Sequence, residues 1–295
     1  MIISPTIVSL REGLEAALII AIMLSYLKKT KQANLRKYVI SGTVMAIITS
    51  LGVSIVVSLL WGVFEGPMLN VFEGSVVLIA SLLLTTMIVW MWNAGAKITQ
   101  EIEASMEMSV TQQSGIGLAL LSFSLVLREG VELSLFSFAL VFQEGVLSYI
   151  GITLGLLLAA GLGIGIYAGT LRISLKSLFK WTSIFLILFA AGMVAYGIHE
   201  LQEGGLLLIG PVEVWNINPP LLSDGSYPLL HEDGLIGGLA KALFGYNGNP
   251  SALEVVAYLA YLGIAFSYLW MKQKRASSLS IVKSDKTVIS AAPSQ

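Results

Sequence analysis

Cysteine is absent from all 295 residues, which excludes disulfides and thiolate-held metals. Histidine is nearly absent too, with two copies, so a site built from several imidazoles has no raw material. Charge is scarce: Asp, Glu, Lys and Arg make up 12% of the chain, against about 25% in a soluble protein. The net charge of −1 offers no global attraction to nucleic acid. No glycine-rich phosphate loop is present, so no nucleotide hydrolysis resides in this chain. The first six residues lack the basic region of a secretory signal, and the first apolar stretch is therefore expected to remain as a membrane span.

What the chain has in quantity is apolar length, with 56% hydrophobic residues. Runs long enough to span a bilayer fall at about 5–27, 39–61, 71–92, 115–142, 147–170, 180–198 and 252–271. The expected fold is an all-α polytopic membrane protein of seven transmembrane helices. Trp61, Trp90, Trp92, Trp181 and Trp270 stand near run ends, where amphipathic rings favour the headgroup level.

Basic residues set the expected orientation. Lys28, Lys29, Lys31, Arg36, Lys37, Lys97, Arg172, Lys176, Lys180, Lys272, Lys274, Arg275, Lys283 and Lys286 all fall in alternate connections or the tail. Only Lys241 lies on the opposite side, outside the two arginines within spans. The positive-inside rule puts the N-terminus outside and the C-terminus in the cytoplasm, and seven spans satisfy that parity.

Two near-copies of a charged pentapeptide interrupt the apolar runs: Arg11-Glu12-Gly13-Leu14-Glu15 and Arg128-Glu129-Gly130-Val131-Glu132. A charged side chain at mid-span costs at least ~2.5–3.5 kcal/mol, so such residues are usually functional. The copies are 117 residues apart, which corresponds to three spans. Spans one to three and four to six are thus expected to form an inverted 3+3 repeat, with span seven as an extra helix. In that organisation 1–275 is one permease domain, with repeat one at about 1–95 and repeat two at about 112–200. An outer loop at 199–251, the seventh span at 252–271 and a disordered tail at 276–295 complete it. Residues 235–244 are expected to form a short surface helix, and Ser251 with Glu254 a capping box for the last span. The glycines of span five are read as packing residues.

On a helix, Glu12 shares a face with Glu15, and Arg11 meets Glu15; the same holds for Glu129, Glu132 and Arg128. Gly13 and Gly130 remove a side chain beside the carboxylates, which lets another helix or an ion approach. If the two motif helices cross, four carboxylates and two guanidiniums converge with a formal charge of −2. Carboxylate oxygens are hard ligands and suit a hard cation. Each arginine can hold a carboxylate ionised, and it can also weaken cation binding enough for release.

The doubled motif, with seven spans and an outside N-terminus, resembles the oxidase-dependent iron transporter family over residues 1 to about 271. The resemblance implies an iron permease of the plasma membrane, in bacteria the inner membrane, with no permanently bound cofactor and no enzyme activity of its own. Glu12, Glu15, Glu129 and Glu132 would carry iron, Fe3+ or Fe2+, with Arg11 and Arg128 in support. Besides membrane lipid, the implied partner is an extracytoplasmic iron oxidase or iron-delivery protein; nucleic acid is not a partner, and a homo-oligomer is left open.

Secondary acidic positions are candidates for metal approach or exit. Glu73 lies near an outer span end, and His199, Glu200 and Glu203 close span six on the outer side. Glu101, Glu103 and Glu107 lie in the third, cytoplasmic connection. Each group has a plainer reading, as a solvated span end or a charged loop. The runner-up substrates are manganese and lead. An intramembrane di-metal oxidase is disfavoured because both histidines fall in the outer segment, and a structural subunit is the remaining alternative.

Overall fold

A computed structural model describes residues 2–94, 98–111, 114–169, 175–211, 213–222, 226–232 and 234–290; side chains of 91–99, 175–181, 242–243 and beyond 271 lie outside the description. Among the described residues the chain is helical, without strands. The helices are α1 (Ile3–Lys29), α2 (Arg36–Trp61), α3 (Pro67–Ala94), α4 (Ile98–Thr111), α5 (Gly115–Glu144), α6 (Ser148–Tyr167), α7 (Leu175–Glu203), α8 (Leu235–Phe244) and α9 (Ala252–Ser290). Each expected span coincides with a helix. Lys97 and Arg172 lie outside the described residues, as do the side chains of the other basic residues at 176, 180 and beyond 271.

Helix ends follow local chemistry. Proline at the first position opens α3, where its missing N–H costs nothing. Ser114 caps α5 by accepting from Gly117 N at 3.0 Å, and Gly145 ends it at φ 77°. At α9, Ser251 N donates to Glu254 Oε1 at 2.9 Å while Glu254 N donates to Ser251 Oγ at 3.2 Å, the reciprocal pair expected of a capping box. The backbone of α9 stays helical through Ser290, where a disordered tail was expected from 276; no glycine or proline interrupts 272–290.

Among the described residues, five helices are long and apolar enough to cross a membrane by length and composition: α2, α3, α6, α7 and α9. The two others of spanning length, α1 with 27 residues and α5 with 30, are the ones that carry the charged motifs. Helix α4 is short and two-faced. Its Ile102 and Met106 are buried with Met23, Leu27 and Leu118 at one end of α1 and α5, while Glu101 and Glu107 face outward.

The main pairings exchange partners between the halves: α1 packs on α6, α2 on α5 and α3 on α7. Small residues make the first two pairings close. Along α1, Pro5, Ser9, Gly13 and Ala17 meet Gly151, Gly155, Ala159 and Gly163 of α6. Along α5, Ser122, Gly130 and Ser134 meet Gly42, Ser50 and Ser54 of α2. Every contact is four residues from the next or a multiple of four, the spacing that lets two backbones approach in lipid. Counterparts differ by 117 between α1 and α5 and by 109 between α2 and α6. Hydroxyls stitch the second seam: Ser122 Oγ donates to Val39 O at 3.1 Å and Ser134 Oγ to Ser50 O at 3.2 Å.

A Cβ at Gly155 would strike Ser9 and the α1 backbone, whereas one at Gly161 meets nothing within 4 Å. Gly155→Leu is therefore expected to destabilise the detergent-solubilised protein by about 1–3 kcal/mol, with a lowered thermal midpoint, while Gly161→Leu leaves the midpoint in place. A Gly155→Leu protein as heat-resistant as its parent contradicts this packing.

Candidate metal centre

The α1–α6 and α2–α5 seams bring the two motif segments together, because α1 also packs on α5. One carboxylate oxygen from each of Glu12, Glu15 and Glu129 lies within 4.8 Å of the others. Opposed oxygens around a small hard cation at ~2.1 Å stand about 4.2 Å apart, so the group has the dimensions of a coordination shell. Glu12 is 1% exposed, Glu15 7%, Glu129 5% and Glu132 8%, so water does not offset their charge. The Oε2 atoms of Glu12, Glu129 and Glu132 have no hydrogen-bond partner among the described residues. Buried carboxylate oxygens without a donor are costly, and a bound cation satisfies them.

The arginines bind the rim of this cage. Arg11 Nη1 donates to Glu12 Oε1 at 2.8 Å, and Nη2 stands 3.4 Å from Glu15 Oε1. The same Nη1 contacts Met87 Sδ of α3 at 2.8 Å. Arg128 Nε donates to Glu132 Oε1 at 3.0 Å and lies 3.9 Å from Glu129 Oε1. Its guanidinium carbon sits 5.1 Å from the centre of the Trp90 ring, also on α3. With four carboxylates and two guanidiniums the site keeps a formal charge of −2, which attracts a multivalent cation and repels anions.

The motif glycines admit helices. A Cβ at Gly13 would lie 2.8 Å from Ala159 Cβ of α6, and one at Gly130 would overlap Ser50 of α2. Of the two approaches that the sequence left open, helix or ion, the glycines serve the helix. Their lack of a side chain lets the motif turn sit against a neighbour, and the carboxylates then point the other way.

The secondary positions lie elsewhere. Glu73, on α3, accepts from Trp61 Nε1 at 2.7 Å. His199, Glu200 and Glu203 stand at the C-terminal end of α7, on the border of a cavity of about 270 Å3 that Tyr196, Asn247 and Glu254 also line. His199 bridges two acids, with Nδ1 2.9 Å from Glu254 Oε1 and Nε2 3.3 Å from Glu203 Oε1. Glu101, Glu103 and Glu107 lie on α4 with Glu101 and Glu107 exposed, and none joins the cage.

Sequence reasoning missed three residues here. Glu254 was read only as a helix cap, yet it is buried and also holds His199 and Asn247. Met87 carries no signal in an apolar run. Trp90 was read as a headgroup anchor, and its stacking on Arg128 depends on a contact 38 residues away in the chain.

The sequence pattern described as the iron permease FTR1 family matches residues 2–278. Among curated proteins, the ferrous iron permease EfeU of Yersinia pestis is 32% identical over 285 residues, covering 96% of this chain and 98% of that protein. The ferrous iron permease EfeU of Escherichia coli O157:H7 is 34% identical over 261 residues, covering 88% and 91%. No solved structure matches the chain.

Glu12→Gln, Glu15→Gln or Glu129→Gln is expected to weaken binding of a hard divalent cation by about tenfold or more, the scale of one lost charge-assisted ligand in a buried site. Titration calorimetry on the solubilised protein measures it, with the exposed Glu107→Gln as the variant that keeps parental affinity. Unchanged affinity in all three cage variants excludes the cage as the binding site.

Proposed function

This chain belongs to the iron permease FTR1 family, and on that premise we propose that iron crosses the membrane through the carboxylate cage between α1 and α5. It is an iron permease and not an enzyme, and it is a multi-pass protein of the inner membrane. The observation that carries the proposal is the meeting of Glu12, Glu15 and Glu129, buried, from two helices, with carboxylate oxygens lacking donors.

In this reading α1 and α5 cross the membrane beside the five apolar helices, which makes seven spans with the N-terminus outside and the C-terminus in the cytoplasm. Helices α1 to α3 and α5 to α7 form the inverted repeat. The exchanged pairings and the constant offsets along the small-residue seams support it. Iron meets the outer group of Glu73, His199, Glu200 and Glu203 first, next the cage of Glu12, Glu15, Glu129 and Glu132, and last the acids at 101, 103 and 107. An extracytoplasmic oxidase or delivery protein presents the metal. The inward-negative potential assists any cation, at ~2.3 kcal/mol per charge per 100 mV. Arg11 and Arg128 keep the cage from holding iron too tightly to release it.

Radioactive iron uptake into proteoliposomes tests the proposal, with valence clamped chemically and manganese and lead as competitors. Glu15→Gln and Glu132→Gln are each expected to abolish uptake at normal abundance in the membrane. Arg128→Lys is expected to fail as well, because an ammonium keeps the charge but not the forked donors. Robust uptake in both glutamine variants, or uptake of manganese or lead in preference to iron, defeats the reading. The purified protein alone is expected not to oxidise ferrous iron.

A further inference from the structure

The two arginines that the repeat makes equivalent occupy unlike surroundings. Arg11 is 2% exposed and sealed against Met87. Arg128 has a side chain 45% exposed and lies against the open-faced Trp90 ring. Met87 and Trp90 are one turn apart on α3, so a single helix touches both ends of the cage. Along α5, Arg128 precedes Glu129 and Glu132 and is nearer the end that α4 covers. Protein thus encloses Arg11 and leaves about half of the Arg128 side chain uncovered.

We propose that Trp90 is a positioning residue that holds Arg128 on Glu132 and thereby sets how readily the cage lets go of its cation. This rests on the permease reading above. Arg128 Nε bonds Glu132 Oε1 at 3.0 Å and stands 3.9 Å from Glu129 Oε1, so the position of the guanidinium sets how much negative charge the cage presents to a cation. A half-exposed arginine has many rotamers, and the indole face selects the one over the cage edge. With the ring gone, Arg128 spends less time on Glu132. The cage is then more negative, binds the cation more tightly and releases it more slowly.

Uptake kinetics in proteoliposomes containing the full chain test this. Trp90→Leu keeps apolar bulk but removes the π face; Trp90→Phe keeps a face. Trp90→Leu is expected to lower KM and maximal rate together by about two- to five-fold, the scale of one half-exposed cation–π contact, and Trp90→Phe to restore both. Equal KM in Trp90→Leu and wild type, or equal rescue by leucine and phenylalanine, overturns the inference and leaves a packing residue. Manganese binding to the solubilised protein gives a second readout that does not need transport. Affinity should rise in Trp90→Leu, and Trp90→Leu should add nothing in an Arg128→Gln background. A wild-type protein that carries no iron in the same vesicles instead removes the permease reading itself.

Discussion

Four carboxylates and the Arg11 guanidinium are buried together, with Arg128 half-exposed at their edge, and the remainder of the fold can be understood as the means of keeping them there. A buried ion pair loses several kcal/mol per ion in hydration before its attraction counts. Two arginines can offset only two of the acids. The remaining negative charge makes the arrangement unfavourable when empty and more favourable around a cation.

Holding such groups in register demands close, stiff neighbours. Lipid gives no hydrophobic push between helices, so backbone proximity and interhelical hydrogen bonds supply the attraction. The ladder of Pro5, Ser9, Gly13 and Ala17 on α6, and of Ser122, Gly130 and Ser134 on α2, does this on the far side of the motif helices. The motif glycines thus belong to two structures at once. They are spacers within the charged pentapeptide and rungs in the packing seam.

Much of this was legible in residue order. The apolar runs located every long helix, the capping box at Ser251 and Glu254 located the start of α9, and the doubled pentapeptide marked the residues that meet between α1 and α5. What stayed hidden is of another physical kind. Met87 and Trp90 look like ordinary members of an apolar run, and only packing across α3 reveals that one meets Arg11 and the other Arg128. Glu254 satisfied a local rule as a cap, which masked its second bond to His199. The unequal burial of the two arginines was equally invisible, because a repeat in sequence predicts equal environments and α3 lies against α5 far more than α7 lies against α1.

The exchanged pairing of helices bears on how the protein is made. Helix α1 leaves the ribosome some 120 residues before the start of α6, its principal neighbour, and α2 likewise waits for α5. At ~5–20 residues per second, α1 waits on the order of ten seconds for α6. The motif charges of α1 are best kept beside the translocon or half-exposed at the headgroups until the second half arrives. In a chain split between α4 and α5, the pairings α1 with α6, α2 with α5 and α3 with α7 would all run between the two pieces.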